Sequence, residues 1–455
     1  MIWSAKDLSA ALNVKINPGI NGKQIQFNSN SVEEGDLFIA LKGNEDGHNY
    51  ALHSIERGAG AVIISKEIAG IDQNKAIIVK DTLAALHQMA EYKRKKSKAI
   101  FIGITGSSGK TSTKEALKTV LSHFGNSFAS RGNFNNHLGV PLNLASMPDD
   151  TKYAIFEMGM NHRGELRQLT KMVQPDIAVI TTISEAHLEF FDSMYDLTDT
   201  KCEIFEGMSN EGTAIINLDS EYYGRILSNL EKLSINKIYS FGKSPGADAR
   251  LELYEKINDD IHLRYSVKKE KIDIKIPFIP EHYTRNFTAV LMVASCLGLN
   301  VNIATQQLAN ISLTEGRGKI INVQKDGKNY QLLCDYYNAN PESLKASLQY
   351  LKQLTTNKKK IAIIGDMLEL GESSKQLHES LIPSIIDSGA LKVFLVGNHT
   401  KHIYNLLPSN IETKHFDNVA MLIENLNRLL EGGELILIKG SRGVSLIKVA
   451  QYLNM

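Results

Sequence analysis

Short apolar runs and longer stretches with helical spacing alternate along most of this chain, and their order predicts an α/β protein. The start, MIWSAKDLSAAL, reads as a capped amphipathic helix. GDLFIAL (35–41), AVIIS (61–65) and AIIVK (76–80) then read as strands separated by Gly and Asp turns. A helical stretch over 82–95 closes this first segment near Ser97.

A second segment opens with the strand AIFIGIT (99–105), followed by a Gly-rich loop and a helix to about His123. Further apolar strands are expected at YAIFEM (153–158), DIAVITTI (176–183) and TAIINL (213–218), with helical patterns between them. Continuous apolar strands alternating with helices predict a parallel sheet covered on both faces. Over 248–278 the pattern becomes alternating and charged, as in hairpins, and helices over 283–297 and 303–311 follow. A third segment begins near Gly316, with strands at KIINVQ, YQLLCD, KIAIIGD, KVFLVGN and ELILIKG and helices between the later ones. There are no repeats and no low-complexity tract.

A chain of 455 residues is too long for one hydrophobic core. The expected division is a small α/β domain over 1–97, a central parallel-sheet domain over 98–315 and a Rossmann-like α/β domain over 316–455. Its 51 Lys and Arg nearly cancel 50 Asp and Glu, which disfavours nucleic acid as a partner. The one dense basic run, Lys93-Arg94-Lys95-Lys96, reads as a helix end and linker rather than an anion-binding patch. Cys202, Cys296 and Cys334 lie far apart and lack metal-ligand spacing, which suits a reducing compartment. The N-terminus lacks the apolar core of a signal peptide, and no apolar stretch approaches the ~20 residues that span a bilayer. A cytoplasmic protein without a membrane partner is expected.

Chemistry enters with GITGSSGKTSTKE (103–115). The general phosphate-loop pattern is Gly, four residues, then Gly-Lys-Ser/Thr. Counting back from Gly109 puts Ile104 where the first glycine belongs, so the strict pattern fails by one position. The physical requirements remain: an apolar strand, a turn over Gly106, Ser107, Ser108 and Gly109 that admits phosphate to backbone N–H groups, and a helix beginning at the site. Lys110 can reach the β- and γ-phosphates of ATP, the Thr111 hydroxyl can ligate Mg²⁺, and Ser112 completes the nucleotide-binding run. The plain alternative is a strand-to-helix turn that happens to contain a lysine. Glu157 ends the YAIFE strand, where ligands of open α/β sheets gather, and as a hard oxygen donor it suits Mg²⁺.

The variant loop Thr-Gly-Ser-Ser-Gly-Lys-Thr resembles that of the Mur ligases, ATP-dependent amide-forming enzymes of peptidoglycan precursor synthesis whose relatives include the folylpolyglutamate synthetases. NFNNHLGVPLN (133–143), EMGMNHRGEL (157–166), EAHLEFF (185–191), TKCEIFE (200–206), DYYNANPES (335–343), GDMLELGE (365–372) and IKGSRG (438–443) resemble the family's motifs, in family order and over nearly the whole chain. The resemblance implies three domains, with ATP and Mg²⁺ held centrally, a UDP-sugar peptide by the first domain and an amine by the last.

It also implies roles for single residues. His187 resembles a strand-end histidine that ligates a second Mg²⁺; the plain reading is a hydrogen-bonded structural histidine. Lys201 resembles a lysine that CO₂ carbamoylates into an anionic oxygen ligand, which requires a neutral amine; otherwise it is an ordinary helix-face lysine. Lys110, His187 and Lys201 form the implied catalytic set, and Thr111, Glu157, His187 and Lys201 the metal set. Asn286 resembles an adenine-contacting asparagine. Arg317 and Asp335 resemble residues that close the third domain onto ATP, with a domain-junction salt bridge as the alternative. Lys439, Ser441 and Arg442 follow the ELILI strand, where a cationic loop could hold a dipeptide carboxylate. Asn133, Asn135, Asn136 and His162 form a polar set for the muramyl-peptide, although Asn-rich loops are often only turns.

Two departures stand out. Asn28-Ser29-Asn30 occupies the place of a common Asp-Ser-Arg in the UDP-binding region, and Arg163 stands where a proline is common. The combination of Tyr-Asn-Ala-Asn-Pro, Gly-Asp-Met-Leu-Glu-Leu-Gly and Lys-Gly-Ser-Arg-Gly most resembles the branch that joins D-alanyl-D-alanine to UDP-N-acetylmuramoyl-tripeptide, and the expected protein is a monomer. Two alternatives stay open: a family member that adds the third peptide residue, and a phosphate-loop NTPase switch or binding protein from another class.

Overall fold

The computed structural model describes residues 2–454 as a mixed α/β chain built on three main sheets. The first is parallel, with strands in the order Ile25–Gln26, Leu37–Ile39, Ala61–Ile64 and Ala76–Ile78. Leu37–Ile39 and Ala61–Ile64 are buried throughout, which explains their continuous apolar runs. The N-terminal helix Ala5–Leu12 forms as expected: Ser4 Oγ accepts from the Asp7 N–H at 3.1 Å, and Asn13 ends the helix in the left-handed conformation. Trp3–Ser4 and Asn21–Gly22 pair as a small antiparallel ribbon, and like Ile25–Gln26 they are too short to show any periodicity.

This unit is bolted to the central one. Trp3 Nε1 donates to the Ala145 carbonyl at 2.8 Å, and Leu142 and Ala145 share an apolar cluster with Trp3, Leu8, Leu86 and Met89. The basic run ends the helix Thr82–Lys96 as expected, but it is not a slack linker. Lys93 is buried, donates to the Ile2 carbonyl at 2.7 Å and pairs with Asp149; Lys96 joins Asp7 to Asp149 at 3.0 and 3.1 Å. Arg94 donates to the carbonyls of Val173 and Gln174 and lies over the Phe101 ring. The cations serve as an inter-sheet clamp.

The central sheet has nine strands. Seven are parallel, in the order Ser127–Ala129, Tyr153–Glu157, Ile100–Thr105, Ile177–Ile180, Thr213–Asn217, Lys237–Gly242 and Ala249–Ile257. Asp260–Val267 and Glu270–Pro277 continue it antiparallel, giving the charged hairpins expected from the alternation. Apolar residues of the strands feed clusters on both faces, Ile102 and Ile104 toward one and Phe101 toward the other. Ser127–Ala129 and Lys237–Gly242 escape a reading of apolar runs, one because it is a three-residue edge and the other because it reads KIYSFG. From Ile100–Thr105 the chain passes first to one side of the sheet and later to the other. A crevice therefore opens at that strand's carboxyl end, the usual ligand position in such sheets.

The third sheet runs Lys319–Lys325, Lys328–Cys334, Leu435–Lys439, Lys360–Gly365, Lys392–Val396 and Glu412–Phe416, antiparallel in its first pair and parallel elsewhere. Glu412–Phe416 reads ETKHF, too polar to be recognised from apolar spacing, because it is the edge. Among the described residues no helix is long and apolar enough to cross a membrane, and all three cysteines are free.

Candidate active site

One cleft of about 1190 Å³ lies between the carboxyl ends of the central and third sheets. It gathers almost every residue singled out from the sequence. The phosphate loop lies at its floor, where Gly106 adopts φ 148° and Gly109 φ 84°. Those values favour glycine, and a Cβ at Gly106 would also collide with Thr181 Oγ1. The neighbouring strand end pins the loop: Ser107 N–H donates to the Thr182 carbonyl at 2.7 Å, and the Thr181 and Thr182 hydroxyls donate to the Ser108 carbonyl at 2.6 and 2.9 Å. Gly109 then caps the helix Lys110–Ser122, whose first N–H groups point into the cleft with its dipole.

Lys110 Nζ donates to the Gly106 carbonyl at 2.6 Å, folding over the loop that it serves. Thr111 Oγ1 donates to Glu157 Oε2 at 2.7 Å, and Asn135 Nδ2 donates to Glu157 Oε1 at 2.9 Å. This places Thr111, Glu157 and the Asn-rich loop in one hydrogen-bonded unit, with Glu157 buried. Asn286 Nδ2 donates to Ser112 Oγ at 3.1 Å, so the helix Glu281–Cys296 closes the nucleotide side.

Lys201 lies at the end of the helix Met194–Cys202, buried, and its Nζ has no hydrogen-bond or ion-pair partner among the described residues. Burial first, and the Lys110 cation second, hold its pKa well below the ordinary lysine range. Burial likewise lowers Lys110. His187 adopts the left-handed region at φ 61°, just after the Ile177–Ile180 strand. Its Nδ1 lies 2.5 Å from Glu369 Oε2, close but out of line for a hydrogen bond.

The third sheet supplies the opposite wall. Arg317 lies 4.1 Å over the Tyr337 ring, and both face the cleft. Lys439 Nζ bonds Asp335 Oδ2 at 2.9 Å and the Asn338 carbonyl at 2.9 Å and is itself buried, so its charge is already paired. Ser441 Oγ accepts from Leu368 N–H at 2.9 Å. Arg442 is exposed and unpaired among the described residues, which leaves it the cation of that loop able to take an outside anion. Asn133 and Asn136 line the cleft beside Asn135. His162 does not: its exposed ring packs edge-to-face on Phe190, 4.8 Å between centroids.

The cleft fits ATP and hard cations better than a preformed metal cage. Among the described residues no three His, Cys, Asp or Glu side chains converge to hold a metal ion. Thr111, Glu157, His187 and Lys201 all line the cleft, and the unpartnered Lys201 nitrogen would become an oxygen donor if carbamoylated.

Several lining residues lie outside the sequence-derived set. Asn340 Nδ2 donates to Ser108 Oγ at 2.9 Å, tying the third sheet to the phosphate loop, and Glu369 faces His187. Both stand inside motifs quoted above, but only the fold reveals what they touch. His282 also lines the cleft; burial foremost, then Arg285 and Lys439, lower its pKa to about 3, so it is neutral there.

Residues 104–294 match the Mur ligase middle domain, and residues 316–442 match the Mur ligase, glutamate ligase domain. The chain is 54% identical over 452 residues to a UDP-N-acetylmuramoyl-tripeptide–D-alanyl-D-alanine ligase of Rickettsia prowazekii, covering 99% of this chain and 100% of that one. Its fold is similar to a crystal structure of MurF from Acinetobacter baumannii, at TM-score 0.83 and 30% identity, over 100% of this chain and 99% of the other. It is also similar to MurF ligase from Thermotoga maritima in complex with ADP, at TM-score 0.76 and 27% identity, covering 95% and 97%.

Proposed function

This chain belongs to the Mur ligase family, and from that premise we propose how its residues join D-alanyl-D-alanine to UDP-N-acetylmuramoyl-tripeptide with ATP, the ligation it performs in peptidoglycan synthesis. The observation that carries the proposal is that the phosphate loop and the Arg442 loop line one cleft. Phosphoryl donor and amine acceptor can therefore meet at one carboxyl group.

In our reading residues 1–97 bind the UDP-sugar, 98–315 bind ATP with Mg²⁺, and 316–455 admit the dipeptide. The N–H groups of the loop from Gly106 to Gly109 and the start of the Lys110 helix cradle the phosphates. Lys110 moves from the Gly106 carbonyl onto the β- and γ-oxygens. Asn286 and Asp335 fix the adenosine, and Arg317 adds a cation from the closing side. Asn133, Asn135 and Asn136 hold the muramyl-peptide, with Asn135 coupling that loop to Glu157, while His162 stays outside the cleft against Phe190.

The peptide's terminal carboxylate attacks the γ-phosphorus, releasing ADP and giving an acyl phosphate. The dipeptide ammonium gives up a proton to become the neutral amine and attacks the acyl carbon; phosphate then leaves from the tetrahedral adduct, taking the second proton that the nitrogen sheds as the amide forms. Lys110 and Arg317 stabilise the oxygens on which charge grows. Thr111, Glu157, His187 and a carbamoylated Lys201 would hold Mg²⁺, which neutralises the converging phosphate oxygens when bound. The carbamate forms as the neutral Lys201 amine adds CO₂ and loses one proton, and burial of that amine favours the neutral form. Arg442 takes the dipeptide carboxylate, while Lys439 orients Asp335 and Ser441 orients the Leu368 backbone. Closure of the cleft, with Asn340 on Ser108, keeps water from the acyl phosphate. We place this reaction in the cytoplasm, where ATP is available, and assign a monomer, because one chain supplies every residue named.

The test is phosphate release from ATP, Mg²⁺ and UDP-N-acetylmuramoyl-tripeptide, with and without D-alanyl-D-alanine. Dipeptide-dependent release is expected. Release that ignores the dipeptide would favour an NTPase, and dependence on a single amino acid would favour a different ligase.

A further inference from the structure

The cleft holds more carboxylates than the reaction above uses. Glu157 is engaged by Thr111 and Asn135, Asp335 by Lys439 and Ser347, and Glu165 by the N–H groups of Asn161 and His162. Glu369 is different. Its side chain is 40% exposed, it comes from the third sheet, and the group it faces is His187 Nδ1 of the central sheet, 2.5 Å away.

Its backbone is held in an unfavourable place. Glu369 adopts φ 64°, a conformation that costs a residue with a Cβ about 1 kcal/mol or more and persists only where the surroundings impose it. They do so here. The Asp366 carboxylate accepts from the N–H groups of Asn398, His399 and Thr400 at 2.8–2.9 Å, and His378 Nε2 accepts from Met367 N–H at 3.0 Å. Ser441 Oγ holds Leu368 N–H, and the Glu369 carbonyl accepts from Glu189 N–H at 3.2 Å. Every neighbour on this turn is fixed, and the carboxylate is left directed into the cleft.

We propose that Glu369 binds the amino group of the incoming dipeptide. The proposal rests on the ligase reading above and identifies the residue that positions its nucleophile. A dipeptide spans at most about 7 Å, so the group holding its ammonium must lie close to the group holding its carboxylate. Glu369 follows Leu368, whose N–H is bound by Ser441, the residue before Arg442. The loop that takes the carboxylate and the loop that carries Glu369 are thus neighbours through a hydrogen bond. The other end of the reach is right as well. His187 stands after a central strand, on the side of the phosphate loop, so an amine at Glu369 faces the activated carboxyl. His187 Nδ1, 2.5 Å away but out of line for a hydrogen bond, leaves the carboxylate without a hydrogen-bonded partner on that side. With the dipeptide bound, its ammonium supplies that partner. Glu342, the remaining carboxylate with an unpartnered oxygen, lies two residues after Asn340 at the phosphate loop, on the nucleotide side.

The experiment compares wild type, Glu369→Gln and Glu342→Gln, with each substrate varied in turn and with N-propionyl-D-alanine, the dipeptide lacking its amino group, as inhibitor. A charged hydrogen bond to the ammonium predicts that Glu369→Gln raises KM for D-alanyl-D-alanine at least about tenfold more than KM for ATP or the muramyl-peptide. Inhibition by the des-amino analogue should be nearly the same in wild type and variant. Equal effects on all three substrates, or an equal loss of analogue binding, would show that Glu369 only latches His187 and would overturn the proposal. The same signature in Glu342→Gln alone would overturn it too. If Glu369→Gln proves unstable, Glu369→Asp is read by the same ratio. Wild type without dipeptide-dependent phosphate release would instead strike the ligase reading.

Discussion

The Asn340 side-chain amide donates to Ser108 Oγ at 2.9 Å, joining two residues 232 positions apart and fastening the third sheet to the phosphate loop. The same side chain caps the helix Pro341–Gln353: its Oδ1 accepts from Ser343 N–H at 2.8 Å, and Ser343 Oγ accepts from Asn340 N–H at 3.0 Å. Capping and cleft closure therefore meet in one residue and can be separated by substitution. Asn340→Asp keeps the acceptor but loses the donor and adds an anion beside the phosphates. It should preserve thermal stability while raising KM for ATP about tenfold or more. Asn340→Ala loses both roles and should also lower stability by about 1 kcal/mol in urea unfolding.

Glu157 offers a test of the nucleotide floor. Its two oxygens accept from Thr111 and Asn135, and Glu157→Gln retains the shape while losing the charge. Turnover should fall by roughly 10²–10³, with a higher Mg²⁺ requirement and an unchanged fold. Steady-state phosphate release across a Mg²⁺ titration measures both. Turnover within twofold of wild type would remove Glu157 from the metal set.

The floor of the cleft is legible in sequence because strand, glycines, Lys110 and Thr111 are contiguous, so one local pattern carries the whole device. Glu157 and His187 are nearly as readable, each falling at or after a strand end. What is not readable depends on meetings across the fold. Nothing local says that Lys439 is already neutralised by Asp335, that Asn340 reaches Ser108, or that Glu369 faces His187. The same holds for the basic run at 93–96, where spacing shows a helix end but not that Asp149 waits beneath it. Strands follow the same division. Buried ones announce themselves by unbroken apolar runs, while Ile25–Gln26 is too short and Glu412–Phe416 is polar because it is an edge.

The Lys93 pair predicts an asymmetry. Lys93 is buried and its partner Asp149 is half exposed. Removing the carboxylate strands a cation indoors, at a cost of about 3–5 kcal/mol in the general case, softened here by the Ile2 carbonyl. Removing the lysine leaves an acid that water and Lys96 can serve. Asp149→Ala should therefore destabilise more than Lys93→Met in urea unfolding. The reverse order would show that the clamp's strength lies in the Lys93 cation over the Trp3 ring, which methionine lacks.

Acid should loosen the packing of the first unit, where Asp7 joins the N-terminal helix to Tyr92 and Lys96 of the helix Thr82–Lys96. Burial pushes the Asp7 carboxyl up, but hydrogen bonds from Tyr92, Ser4 and Lys96 outweigh it and hold the group at about 2. A carboxyl depressed in the folded state contributes stability that is complete above its unfolded value of about 3.9 and disappears as pH falls through the folded value. The contribution is at most about 2 kcal/mol, lost between roughly pH 4 and pH 2. Asp7→Asn should flatten the dependence in that window and leave the neutral-pH slope unchanged, which unfolding at a series of pH values records.

Lys201 carries the sharpest chemical prediction. It is a lysine without an acid, buried close to a second lysine, and both circumstances push it toward the neutral amine. A neutral buried amine that serves only to pack would be replaceable by methionine with little loss of turnover. An amine that takes up CO₂ becomes an anion, relieves its conflict with Lys110 and offers oxygen where the cleft otherwise has few metal donors. Lys201→Ala should then lose most activity, and acetate or propionate should restore part of it by placing a carboxylate in the space left behind. Labelled CO₂ should give a carbamate carbon resonance in the wild type that is absent in the variant and weakens as falling pH protonates the amine. Full activity in the unrescued variant would exclude the carbamate. Loss of activity without rescue and without the resonance would leave Lys201 as a cation near the phosphates, a role that Lys201→Arg would then preserve.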